Sequence, residues 1–273
     1  MKCAFGENPK RVYGSQKKMP STRMGNLALF RQFMVDTQNY MKKWHEYGLK
    51  LEQYQESLTP GEKSKDDNKN SKDMIPPTPP DRNLKYEAMA EVLTKRIPLR
   101  AHAHQANDII SAIRLAKEFD VDIIIEHCSE GHKILEFLVK NQIPAVVGPT
   151  FGFRSKIETR NKTWKTIGQL YHAGILTALT ADHPVTPLQF QTIYAAIAHR
   201  EGLSQQGAYE ILTINGAKIL GIEDRVGSLE VGKDADIVLF SDDPLDIRSK
   251  VQFVYIEGQK VFDRLRDKDE ALF

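Results

Sequence analysis

Three short apolar runs in the middle of this chain each stop abruptly at a residue type that binds metals. Ile97-Pro98-Leu99-Arg100-Ala101 ends at His102-Ala103-His104, Val121-Asp122-Ile123-Ile124-Ile125-Glu126 ends at His127, and the run from Ile175 to Ala181 ends at Asp182-His183-Pro184. A further run, Ile143-Pro144-Ala145-Val146-Val147, ends at Gly148-Pro149-Thr150 without such a residue. Between the runs, Ile109, Ile110, Ile113, Leu115 and Ala116, then Ile134, Leu135, Leu138 and Val139, recur at three- and four-residue steps, the period of a helix with one apolar face. Short apolar strands alternating with such helices imply a parallel sheet covered on both faces. In a β/α barrel the chemistry sits where the strands end, and His102, His127 and Asp182 all fall there.

Neutral imidazoles and a carboxylate suit zinc and similar divalent ions, and a catalytic site leaves one position open for water. A bound ion lowers the pKa of water from about 15.7 to about 7, and a neighbouring carboxylate can take the proton and return it to a leaving group. One histidine at a strand end is usually only a hydrogen-bonded side chain. Three ligand-type residues at three strand ends point to a metal site.

Further motifs extend the pattern. IEHC closes one strand, GPT the next and ALTADHP a third; the chain later reads EDRVGSLEVGKDADIVLF, preceded by Thr213-Ile214-Asn215-Gly216-Ala217-Lys218. Together these resemble the metal-dependent amidohydrolase superfamily, nearest its imidazolonepropionase and prolidase-like branch. The resemblance implies a (β/α)8 barrel with one or two metals ligated from strands 1, 4, 5, 6 and 8, and a small β-sandwich. Counting back from the sandwich segment, Asp182 matches strand 8, His127 strand 6 and His102 strand 5. Only three strands follow His102-Ala103-His104, so it is not the family's H-x-H pair of strand 1. His104 is expected to line the pocket or to pack.

Met1 to Arg11 then reads as the end of strand 4, running into the turn signal Gly6-Glu7-Asn8-Pro9. In the family this strand supplies a carboxylated Lys or a Glu that bridges two metals; Glu7 is the candidate, with Lys2 the weaker alternative. The fold expected is therefore α/β: a partial TIM-type barrel (strands 4 to 8) over residues 1–222, followed by C-terminal strands of the β-sandwich over 223–263 and a frayed tail over 264–273. Strands 1 to 3 and the first half of the sandwich have no counterpart in the sequence.

Other segments have plainer readings. Leu27, Phe30, Met34, Tyr40 and Trp44 describe a long helix from Ser21 to about Leu58, its aromatic stripe a packing surface. Residues 57–81, with SLTPGEKSKDDNKNSKD and IPPTPPD, have the low hydrophobicity and clustered prolines of a loosely held insertion. Asn107 or Asp108 is placed to cap one helix and Ser204 another. Asp236–Phe240, Val251–Ile256 and Val261-Phe262 read as strands, the last two joined as a hairpin. Arg154 and Lys156 are candidates for gripping a substrate carboxylate, and His183 for orienting Asp182 or touching substrate. His132 and His172 are read as structural.

Composition excludes several alternatives. The 273 residues carry a net charge of +2, which implies no affinity for nucleic acid or anionic membrane. Hydrophobic residues make up 41% and charged residues 27%, as in ordinary globular chains, and no run approaches the ~20 apolar residues of a membrane span. Two cysteines, Cys3 and Cys128, make no disulfide framework, so a reducing, cytoplasmic setting is expected. Cys128 is read as a small buried hydrophobe.

The function expected is hydrolysis of a carbon–nitrogen bond in a small amide or cyclic amide substrate, through water activated by a divalent metal, zinc first, with one or two ions. Asp182 serves as ligand and general base; His102, His127 and Glu7 hold the ion. The alternative is a truncated or degenerate amidohydrolase fragment without activity, or one that needs a homo-oligomer or a complementing N-terminal fragment.

Overall fold

The computed structural model describes residues 1–58, 75–152, 154 and 156–267. The chain begins with strand β1 (Lys2–Ala4) and helices α1 (Glu7–Ser15), α2 (Arg23–Leu58) and α3 (Leu84–Leu93). It continues as β2 (Leu99–Ala103), α4 (Ala106–Glu118), β3 (Ile123–His127), α5 (Leu135–Asn141), β4 (Ala145–Val147), α6 (Lys165–His172) and β5 (Thr177–Leu179). After α7 (Gln191–Arg200), α8 (Gln205–Leu212) and α9 (Ile214–Leu220) come β6 (Ile237–Phe240), β7 (Val251–Ile256) and β8 (Gln259–Asp263). The first five strands form one parallel sheet in the order β1-β2-β3-β4-β5 and the last three a separate antiparallel sheet. This is the partial β/α barrel with a C-terminal β segment that the sequence implies. No helix among the described residues is long and apolar enough to cross a membrane.

Register brings the strand ends level. Ala103 pairs with His127, His127 with Val147, and Val147 with Leu179. Successive side chains point to opposite faces of a strand, so each strand serves two environments. Ala101, Ala103, Ile125, Ala145 and Val147 face the main core with Ile109, Ile113, Leu115, Leu138 and Leu170 of the covering helices. The alternate residues Ile124, Val146 and Ala178 form a second, smaller apolar cluster with Ile219. Lys2 lies opposite Arg100 and Ile124 beyond it, while Ala4, His102 and Glu126 are likewise in line. All therefore share this second face, where Arg100 Nε donates to Glu126 Oε1 at 2.7 Å.

Gly6-Glu7-Asn8-Pro9 differs from its reading as a turn: it opens α1, with Gly6 at φ 83° as the cap residue. Proline in the first helical turn forfeits no intrahelical hydrogen bond, so the turn signal is equally a helix start. Neither Asn107 nor Asp108 caps α4. Asp108 instead takes Arg23 Nε at 3.0 Å on both oxygens, and the Ala106 N–H is satisfied by Glu130 Oε2 at 3.0 Å. Ser204 does cap α8, its Oγ accepting from Gly207 N. Asn215, of the T-x-N-x-A run, is buried and donates from Nδ2 to the Thr177 carbonyl, tying α9 to β5. The turn between β7 and β8 is Glu257-Gly258, at φ 51° and 77°, the left-handed pair that matches the twist of a two-residue hairpin.

The 36-residue helix α2 is about 54 Å long at 1.5 Å per residue. Its first part buries Asn26, Met34 and Thr37, and Arg31 forks onto Glu118 of α4 at 2.7 Å. Phe33 and Tyr40 pack on Tyr86 of α3 at ring separations of 5.7 and 5.5 Å. The insertion expected over 57–81 falls largely outside the described residues, as does most of the tail. Met34, with no exposed surface, is expected to cost about 2–5 kcal/mol on Met34→Ala. Leu49→Ser, at a 46% exposed position farther along the same helix, is expected to cost within about 0.5 kcal/mol; urea unfolding of both variants measures the contrast.

Candidate metal-binding active site

The level strand ends gather three imidazoles. His102 and His104 follow each other across the end of β2, and His127 ends β3. Ligand atoms of all three lie within 4.8 Å of one another, and all three residues are buried. The rings of His104 and His127 stack at 4.8 Å, while His102 meets both edge-on at 4.8 and 4.5 Å. A cavity of about 710 Å³ opens over them, lined also by Lys2, Asn8, Phe151, Lys156, Lys162 and Asp182.

Neighbouring groups fix which ring nitrogen is available. His127 Nδ1 donates to the Gly148 carbonyl at 2.6 Å, leaving Nε2 as the basic nitrogen, the arrangement that orients metal ligands elsewhere. His104 Nδ1 is held by Ser129 Oγ at 2.8 Å. Lys156 Nζ contacts Asn8 Oδ1 at 2.7 Å, and Asn8 Nδ2 lies 3.2 Å from His102 Nε2. A lysine can only donate, so the Asn8 amide presents its NH2 to His102, whose Nε2 accepts.

The backbone is held in rare conformations at this edge. His127 (φ 69°), Cys128 (φ 43°) and Asp182 (φ 49°) all lie in the left-handed region, which costs a non-glycine residue of order 1 kcal/mol and clusters at functional sites. At Gly148 (φ 128°) a Cβ would stand 2.2 Å from the Thr180 carbonyl oxygen, so no side chain fits between β4 and β5 there.

Burial, reinforced by repulsion from His127 and His102, pushes His104 down to about 2; burial and then His102 push His127 down to about 4. Both rings are therefore neutral at pH 7, the state a metal requires. Burial pushes the Cys128 thiol up to about 12, in keeping with a small buried hydrophobe.

The other residues singled out in the sequence take varied places. Asp182 is exposed on the cavity wall and Lys2 lines the cavity. Glu7 begins α1 and is not among the lining residues. Arg154 donates from Nη2 to the Lys162 carbonyl, whereas Lys156 stands on the cavity wall. His183 is exposed beside Asp182 and is not among the lining residues.

Glu158 carries no signal in the sequence, yet it stands at the centre of the site. In the loop after β4, it is fully buried. Its Oε2 accepts from Glu7 N at 2.7 Å, and its Oε1 lies 3.7 Å from His102 Nε2 and 3.9 Å from His104 Nε2. Burial alone would raise this carboxyl, but its surroundings, the Glu7 N–H among them, outweigh burial and bring it down to about 2.

The model of the amidohydrolase family matches residues 84–262. Amidohydrolase tasK of Hapsidospora irregularis is 28% identical over 267 residues, 96% of this chain and 26% of that protein. The imidazolonepropionase of Picrophilus torridus is 24% identical over 182 residues, 63% of this chain and 44% of that protein. The crystal structure of an amidohydrolase from Thermotoga maritima MSB8 is similar with a TM-score of 0.82 at 45% identity, over 96% of this chain and 62% of that one. The chain thus spans less than two thirds of each.

Unfolding frees His104 and His127 to titrate near their ordinary value of 6.5, so the unfolded state binds more protons below that pH. Stability of the metal-free protein is expected to fall as pH drops below 6.5, by up to about 1.4 kcal/mol per unit for each ring. Urea unfolding in a chelator at pH 7, 6 and 5 measures this; a flat profile would refute the buried, neutral assignment.

Proposed function

This chain belongs to the amidohydrolase family, and on that footing we propose that it hydrolyses a carbon–nitrogen bond in a small amide or cyclic amide, using a divalent ion held at the histidine cluster. The observation that carries this reading is the convergence of three buried imidazoles on one cavity that Asp182 also lines. The donor set fits such an ion: nitrogen donors, with Nδ1 of His104 and of His127 tied down, and a buried carboxylate oxygen nearby with no hydrogen-bond partner. His102, His127 and Asp182 would hold it, with Glu7 or Lys2 from the first strand; the place of Lys2 on the cavity wall favours Lys2. When bound, a divalent ion supplies Lewis acidity and makes hydroxide available near neutral pH.

The chain's own groups then divide the work. Asp182, solvent-accessible at the end of β5, takes a proton from the attacking water and returns it to the leaving nitrogen. Lys156 and Lys162 on the cavity wall give it a cationic side suited to a substrate carboxylate, a role for which Arg154 is engaged elsewhere. His104 and Phe151 shape the floor and one wall, and His183 is left to position Asp182. The barrel part is taken to run to residue 222 and the β segment from 223 to 263.

A second reading has its own support. Among the described residues β1 pairs only with β2, and β5 only with β4. Open parallel edges of this kind are normally covered, so on this reading activity is expressed only with a second copy or a complementing segment against these edges. Elemental analysis of the purified chain tests both. About one zinc or similar ion per chain, lost in His102→Ala and Asp182→Ala, is expected, and amidase and dipeptidase assays across a range of protein concentrations then separate the two. Folded protein that takes up no metal would sink the hydrolase reading.

A further inference from the structure

Glu158 is a fully buried carboxylate beside the histidine cluster, and its two oxygens are treated very differently. Oε2 is committed to the start of α1, where it accepts from Glu7 N at 2.7 Å. Gly6 makes room for it: a Cβ at this position would stand 2.5 Å from that oxygen. Oε1 is buried and has no hydrogen-bond partner. Its polar neighbours are His102 Nε2 at 3.7 Å, His104 Nε2 at 3.9 Å and Lys156 Nζ at 3.7 Å. These separations exceed any hydrogen bond.

An unpartnered carboxylate oxygen in such surroundings is costly. The separations have a simpler meaning. Two donors each about 2.1 Å from a common zinc in tetrahedral geometry stand about 3.4 Å apart, close to the spacings around Oε1. Both imidazoles turn the required nitrogen toward it. His104 is committed through Nδ1 to Ser129; His102 Nε2, which accepts from Asn8 Nδ2 at 3.2 Å, also stands nearest Glu158, and an ion there would take the place of the Asn8 donor.

We propose that Oε1 of Glu158 is a ligand of the divalent ion bound at this site, joining His102 Nε2 and His104 Nε2 from a loop outside the strand ends. This rests on the metal-binding reading above, adds a donor from the loop after β4, and makes His104, which that reading left lining the pocket, a ligand beside His102. One carboxylate then has two tasks: it pins the start of α1 and completes the ion's coordination. The ion preferred by two imidazoles and one carboxylate is zinc or a neighbouring transition ion, not calcium or magnesium.

Zinc titration against a chromophoric chelator tests the assignment, run beside thermal unfolding of the metal-free protein and the visible spectrum of the cobalt form. Glu158→Gln keeps an oxygen for the Glu7 N–H and removes the charge. It is expected to weaken zinc tenfold or more and to alter the cobalt band, while the metal-free unfolding temperature is unchanged or raised. Zinc affinity and a cobalt spectrum equal to the parent's would overturn the proposal and leave Glu158 as a cap of α1 paired with Lys156. Should the Gln variant not fold, Glu158→Asp keeps the charge but shortens the reach. Weakened zinc and an altered cobalt band in that variant support the ligand role, and parental values of both overturn it. If the parent chain itself takes up neither zinc nor cobalt, the metal-binding reading fails first and the assignment of Glu158 falls with it.

Discussion

Three imidazoles have ligand atoms packed within 4.8 Å of one another, and much of the architecture around them serves to hold them still. The parallel register sets the strand ends level, so residues far apart in sequence meet at one edge. The Gly148 carbonyl and Ser129 hydroxyl each occupy one ring nitrogen of a histidine, which selects a tautomer and stops the ring from turning. Left-handed backbone at His127 and Asp182 turns the chain sharply just after each strand. Such strain persists only where the surroundings over-determine it, and here tight β4–β5 packing at Gly148 supplies that rigidity.

The loop after β4 is the less obvious partner in this arrangement. Phe151 and Trp164 pack on each other and on Tyr194 at 4.6 to 5.4 Å, anchoring both ends of the loop. Between them the chain delivers Lys156, Glu158 and Lys162 to the cavity or its floor. Glu130 reaches in from the β3 side to hold Asn161 and the first N–H of α4. A segment that carries only the short 3-10 turn Ile157–Thr159 among its described residues is thus tied on three sides, which is how a loop comes to carry well-placed charges.

The strand-end histidines and the antiparallel segment were legible in the sequence because apolar runs with sharp ends are strong, local signals; the strand order followed from the family resemblance. His104 and Lys2 were half legible. Alternation along a strand puts Lys2 on the same face as His102 once the register is known, but register is a property of two strands and neither sequence alone states it. Glu7 stands closer to the strand end, yet the chain turns there into α1. Glu158 was hidden altogether. It sits between Lys156 and Arg160 in a stretch with no periodicity, where a charged residue reads as solvated, and only the return of the loop beneath α1 buries it.

Glu158 lies 151 residues from the Glu7 N–H it binds, Lys156 lies 148 from Asn8, and the Met1 ammonium meets the Pro98 carbonyl across 97. The pocket is therefore made of contacts with very long sequence separations, whereas its helices and the strand pairs from β2 to β5 are comparatively local. Loop-closure entropy must be spent before such contacts give anything back, so the elements fold ahead of the pocket they create. By the same reasoning the first strand and α1 are the outermost layer of the folding hierarchy. The hold of α1 on the site rests on Glu7 N to Glu158 and Asn8 to Lys156 and His102, so loosening there would reach the cavity before the rest of the sheet.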